Sequence, residues 1–146
     1  MQETDTKQRR KQSSHLINSM LAERNQLLSL LLRSSQIEED NPVEEDEELL
    51  EEFCQVLVDY IAAGHFGLYE RIVDGRERRE SIADLAKNVY PEIERTTQLA
   101  LEFSEKYKSE NKGRNYTKLP NDLSILGELL TTRIELEDRL ITSMLS

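Results

Sequence analysis

An antiparallel four-helix bundle, an all-α fold, is what this 146-residue chain predicts, on three observations. The helix formers Leu, Glu, Lys, Arg and Ala dominate, while Gly numbers 5, Pro 3 and Trp none, a composition that favours helix over strand. Apolar residues recur at three- and four-residue steps in four separate segments, the period of one helix face. Loops of modest length divide these segments, and amphipathic helices linked in that way bury their stripes most simply against antiparallel neighbours.

Residues 1–12, MQETDTKQRRKQ, lack periodicity and are expected to form a flexible N-terminal tail, with the basic run Lys7 to Lys11 solvated. Residues 13–146 are expected to form a single helical-bundle domain. The first helix should begin at Ser13 or Ser14, either a suitable N-cap, and end around Ser34. Its apolar face reads as Ile17, Met20, Leu21, Leu27, Leu28, Leu31 and Leu32. Asn41-Pro42 supplies a cap and a first-turn proline for the second helix. Glu44 stands three residues beyond the cap, and the acids that follow suit the positive helix terminus.

The second helix should run to about Asp74 and stop at Gly75. Leu50, Cys54, Leu57, Ile61, Leu68 and Ile72 form its core stripe, and at about 100° per residue His65 falls within that stripe. A flanking strip holds Gln55, Asp59, Ala62, Phe66, Glu70 and Val73. A core helix needs only the first strip; a helix that also offers a surface to a partner needs both. The third helix carries the cap signature Ser81-Ile82-Ala83-Asp84 and should continue to roughly Glu110, ending near Gly113. Pro91 should kink or split it near Tyr90. The fourth is expected from Pro120 to Asp122 nearly to Ser146.

Twenty-nine acidic against 19 basic residues give a net charge of -10. Direct nucleic-acid binding is disfavoured because phosphate contacts need clustered Lys and Arg, whereas a basic protein partner suits this charge. No run approaches the roughly 18 apolar residues of a membrane span, and no leader-like segment opens the chain, so a cytoplasmic location is expected. The single cysteine, Cys54, lies on the core stripe and reads as a small buried hydrophobe.

Charged residues stand where a bundle wants leucine. Arg24 lies on the apolar face of the first helix, and Arg133 and Glu137 lie among Leu126, Leu129, Leu130, Leu136, Leu140 and Met144 of the fourth. Arg133 and Glu137 are four apart and can pair along one side. His65 from the second helix and Thr96 and Thr97 from the third complete an expected polar layer, because buried charges must meet partners or water. Three readings fit it: a network fixing helix register, a polar groove opening to a partner, or a metal or catalytic centre. Neither His15 nor His65 follows a glutamate by three residues, as carboxylate-bridged di-metal bundles require. No zinc spacing, serine elbow or phosphate loop is present. His65 with Glu137 is the one pair suited to acid–base work, but nothing supplies a nucleophile. A non-enzyme without cofactor or metal is expected.

Phe53-Cys54-Gln55, Leu57-Val58-Asp59-Tyr60, Ala63-Gly64-His65-Phe66 and Tyr69-Glu70 form a gap-free pattern that resembles the second helix of the Rsd/AlgQ family, regulators that bind the housekeeping sigma factor of bacterial RNA polymerase. Arg133 with Leu136-Glu137-Asp138-Arg139-Leu140-Ile141 extends the resemblance, as do Leu21, Glu23-Arg24 and Leu27-Leu28. It implies an antiparallel bundle acting as an anti-sigma factor, holding the basic helix-turn-helix domain that reads the promoter −35 element. Carried over by position, Asp59 is an acidic contact, Ala62, Ala63 and Phe66 give shape and apolar area, and His65, Tyr69 and Glu70 line a polar groove. Where the family has Asp-Arg-Trp, this chain has Asn18-Ser19-Met20, so two charges and an aromatic anchor are replaced. A helical adaptor for another partner, such as a stringent-response alarmone enzyme, is the alternative. A homodimer through the second-helix strip is a further expectation for the free protein.

Overall fold

The computed structural model describes the backbone of residues 2–38, 44–73, 79–108 and 116–145, with side chains from Lys11 onward apart from positions 12, 13, 71 and 73. These residues are all-helical, without a strand among them. Four long helices dominate: α1 (Gln2–Ser34), α2 (Glu44–Ala63), α4 (Glu80–Tyr107) and α5 (Leu119–Leu145). A π-helical segment, Gly64–Tyr69, joins α2 to the short α3 (Glu70–Val73), and a 3-10 turn, Tyr116–Lys118, precedes α5. The expected cap Asn41-Pro42 and the expected stops Gly75 and Gly113 lie outside the described residues.

Contacts run from α1 to α2, α2 to α4, α4 to α5 and α5 back to α1, so each long helix leans on two others. The apolar centre holds Leu27, Leu50, Phe53, Leu57, Leu130 and Leu140, each without solvent exposure. Burying each such side chain contributes on the order of 1.5–3 kcal/mol. The Phe53 and Phe103 rings meet edge to face at 5.8 Å, and Phe103 lies 4.8 Å from Tyr107. Tyr107 donates its hydroxyl hydrogen to Asp122, which also pairs with Lys106 at 2.7 Å. Arg79 donates to the Met144 carbonyl at 2.7 Å, satisfying a last-turn acceptor that has no partner within its own helix.

Three expectations change. Helix α1 begins at Gln2 rather than Ser13 or Ser14, because residues 2–12 contain neither Gly nor Pro and consist largely of good helix formers, which need no apolar face to extend a helix already nucleated. It buries Ile17, Met20, Arg24, Leu27 and Leu30, while Leu28 is 39% and Leu32 67% exposed. Helix α4 starts at Glu80 without a side-chain cap, ends at Tyr107, and runs through Pro91 without splitting. The Tyr69 hydroxyl donates to the Ala86 carbonyl in the turn ahead of that proline, which ties α4 to the π-helical segment.

Pro91 is exposed, so Pro91→Ala restores one helix N–H without disturbing the core. The variant is expected to gain about 1–3 kcal/mol in urea denaturation. Unchanged or lower stability would show that the proline ring packs favourably where it stands.

Candidate partner-binding site

Glu137 is 1% exposed and carries the interior charge on which the polar layer is built. Its Oε1 accepts from the Tyr60 hydroxyl and, at 3.3 Å, from Arg24 Nη2. Its Oε2 accepts from Arg133 Nε at 3.0 Å. Arg24 also donates from Nε to Tyr60 at 2.9 Å and from Nη1 to Asp138 at 2.7 Å. Arg133 Nη1 reaches Thr97 at 2.7 Å, Thr96 at 3.1 Å and the Ile93 carbonyl at 3.4 Å. Burial, and then the Glu137 carboxylate, push the Tyr60 hydroxyl far above its usual range and keep it a donor. Burial opposes the Arg24 charge, but Tyr60, Asp138 and Glu137 together hold the guanidinium charged. The expected layer of Arg24, Arg133, Glu137, Thr96 and Thr97 is therefore assembled.

His65 departs from that expectation: it is exposed rather than part of the buried layer. Gly64 takes the inward position instead. A Cβ placed there would lie 3.0 Å from Glu137 Oε2, 3.3 Å from Arg133 Nη2 and 3.7 Å from Met20 Cε. The glycine lets α2 approach the ion pair closely. Beyond it the backbone widens into the π turn, which a uniform 100° phase does not represent. Tyr60, Asp138 and Gly64 were missed by sequence reasoning. Gly64 did leave a signal, a glycine inside an otherwise helical pattern, which marks close backbone approach or a distorted turn.

The outer face of the same segment carries the strip. Asp59 is exposed, Ala62, Ala63 and Glu70 are partly exposed, and Phe66 is 62% exposed. His65 and Phe66 stack edge to face at 5.0 Å. Tyr69 is corrected from a groove residue to a core residue, buried with its hydroxyl on Ala86. The Val73 side chain lies outside the described residues. Gln55 donates to Asp59 at 3.0 Å. Across the α1–α2 seam, partial burial and then the Asp59 carboxylate raise the Glu23 pKa. Met20 is 3% exposed, so the altered first-helix motif Asn18-Ser19-Met20 turns its largest side chain inward. Among the described residues no cluster fit to hold a metal is present, and no helix is long and apolar enough to cross a membrane.

Gly64→Ala is expected to destabilise the fold by about 1 kcal/mol despite the better helix propensity of alanine, because the Glu137 carboxylate and Arg133 guanidinium it would press on hold each other in the ion pair. Glu137→Gln leaves two buried cations short of charge and is expected to cost about 3 kcal/mol in the same denaturation assay. Losses within experimental error would show that water enters the layer. Glu23 sets a pH dependence: with its folded pKa raised, its contribution is fully favourable below the ordinary 4.5 and is lost as pH rises through the raised value. Glu23→Gln is accordingly expected to be more stable than the parent at neutral pH and equal to it below pH 4.5, read from urea midpoints.

The family described as "Regulator of RNA polymerase sigma(70) subunit, Rsd/AlgQ" matches residues 1–145. Proteins named "Regulator of sigma D" from Shigella dysenteriae serotype 1 and from Escherichia coli O1:K1 are 39% identical over 101 residues, 68% of this chain and 63% of each relative. The aligned part thus spans less than two thirds of the curated relatives' length. No solved structure matches the chain. With the polar-layer residues and the outer strip falling inside the family match, the chain belongs to the Rsd/AlgQ family of sigma(70) regulators.

Proposed function

We propose that the chain is an antiparallel four-helix bundle that binds the C-terminal, promoter-reading domain of the housekeeping sigma factor and keeps it from RNA polymerase and −35 DNA. The contact register supports the arrangement. Arg79 meets Met144, Thr96 and Thr97 meet Arg133, and Lys106 meets Asp122, so advancing along α4 means retreating along α5. Sequestration by binding alone needs no chemistry, and the names of the relatives are those of regulators.

The observation that carries the binding reading is Phe66, 62% exposed on the flank of the second helical segment. Asp59 stands two turns before it and Glu70 one turn after. A large aromatic between carboxylates is the composition of an anchor for an apolar residue on a cationic helix. Ala62 and Ala63 keep the surface low enough for close approach, and His65 supports the Phe66 ring. Glu23 on α1 adds a carboxylate beside Asp59. Arginines and lysines that otherwise face DNA phosphates are natural partners for these acids. A homodimer of the free protein would use the same strip and compete with sigma for it.

Asp59→Arg is expected to weaken binding to the sigma factor by more than about 1 kcal/mol while leaving cooperative unfolding intact, since Asp59 is exposed. Calorimetric titration at several salt concentrations checks it. Affinity should fall as ionic strength rises, and an unchanged affinity for the variant would remove Asp59 from the interface.

A further inference from the structure

We propose that the α4–α5 seam is the interface of a homodimer, in which the α4 helices of two copies lie antiparallel across a two-fold axis. An open cavity of about 230 Å³ runs between the two helices, floored by Leu99, Phe103, Leu126 and Leu129. Ile125 lines it and is 53% exposed, although an isoleucine gains by leaving water. Glu102 and Lys106 stand one turn apart on the α4 rim, and Asp122 holds Lys106 from the α5 rim at 2.7 Å. Contacts of α2 run to α1 and α4, and those of α5 to α4 and α1. The α4–α5 seam is therefore opposite the α1–α2 seam that carries Glu23 and Asp59.

The occupant follows from the order of charges along α4. Glu102 and Lys106 are separated by about 6 Å along the helix. A two-fold axis crossing α4 midway between them sets each against its opposite in the second copy, so the attraction is made twice. An unrelated partner would need the same pair in reverse order; a second copy carries it by symmetry. Lys106 meets this demand without leaving Asp122, because an ammonium has three hydrogens to donate. The apolar residues obey the same axis. Ile125 lies three residues beyond Asp122 and Phe103 three before Lys106, and the Lys106–Asp122 pair makes those positions level. Ile125 therefore stands beside the axis, where it meets Ile125 of the second copy and both cover the cavity floors. The Phe66 strip, the other way two copies could meet, lacks this property. Its charged members Asp59 and Glu70 are both acids, and a two-fold pairing there sets like charges together. With a surplus of ten acids per chain, association is less opposed where a cation stands near the centre of the contact.

Charge exchange tests the register. Glu102→Lys and Lys106→Glu each set like charges across the axis, but a one-to-one mixture of the two variants restores both attractions. Sedimentation equilibrium is run on the wild-type chain, each charge variant, their mixture, Ile125→Asp and Phe66→Ser, with thermal unfolding of each. The wild type is expected to dimerise. Each charge variant and Ile125→Asp should associate about tenfold or more weakly, and the mixture should recover. Phe66→Ser should dimerise like the parent, and adding the full-length housekeeping sigma factor should leave the dimer intact. Ile125→Asp changes an exposed residue, so it decides the case if Lys106→Glu, deprived of its Asp122 pair, fails to fold. A wild-type chain that remains monomeric overturns the inference. So does a folded mixture that stays monomeric, or Ile125→Asp associating like the parent. Loss of the dimer in Phe66→Ser, or its dissociation as sigma is added, places the pairing on the strip and overturns it equally.

Discussion

A single carboxylate buried in the interior constrains how the four long helices meet. Glu137 on α5 is neutralised by Arg24 from α1 and Arg133 from its own helix, and is hydrogen-bonded by Tyr60 from α2. Arg133 is in turn anchored on α4 through Thr96 and Thr97. Leaving any of these charges unpaired in the interior carries a penalty of several kcal/mol. Sliding one helix by a turn, about 5.4 Å, would break the set. Leucine stripes tolerate such a slip far better, because one aliphatic contact resembles the next. The ion cluster therefore supplies what the apolar core lacks, a single relative position for the helices.

That interior arrangement reaches the surface through the backbone rather than through a chain of side chains. Gly64 lies against Glu137 and Arg133, and the π turn begins at the same residue. From there the chain must bring Leu68, Tyr69 and Ile72 to the core, and the widened turn does so while directing Phe66 outward. The exposure of Phe66 follows from the same geometry that buries Tyr69. This distinguishes it from the exposed leucines of α1, where Leu28 and Leu32 sit on the outer side of a helix whose inner face is already filled.

The sequence made the helices legible because their apolar spacing repeats over many turns. It also revealed Arg24, Arg133, Glu137 and the two threonines, since charged residues inside an apolar stripe have few other places to go. What it concealed had a common physical origin, the uniform phase assumed along each helix. In Leu27-Leu28-Ser29-Leu30-Leu31-Leu32 leucines occupy nearly every face, so periodicity alone does not separate buried Leu30 from exposed Leu32. Around Gly64 the phase changes, which brings Tyr69 into the interior, while His65, beside the inward Gly64, lies at the edge of the stripe and turns outward. Tyr60 gives no signal in the charge pattern, because its need for a partner arises only once its hydroxyl is buried. Asp138 was hidden by lying next to Glu137, where helical phasing points it toward solvent; Arg24 is long enough to reach both.

The division of charge between inside and outside bears on how this protein attracts a partner. Within the cluster the buried Arg24 and Arg133 are offset by buried Glu137 and by Asp138 at the surface, two positive groups against two negative, so the cluster as a whole contributes no net charge to the long-range field. The surplus of ten acids therefore resides elsewhere, including Glu23 and Asp59 at the α1–α2 seam. The raised pKa of Glu23 means that this seam holds its second negative charge reluctantly. A cation placed there would offset the repulsion between the two carboxylates, whereas an isolated surface carboxylate has no such repulsion to offset. The gain is greatest where the like charges are held together by the packing of α1 on α2, and that packing is itself positioned by Arg24 and Tyr60 meeting at Glu137. The cluster thus fixes where the acids of the α1–α2 seam stand.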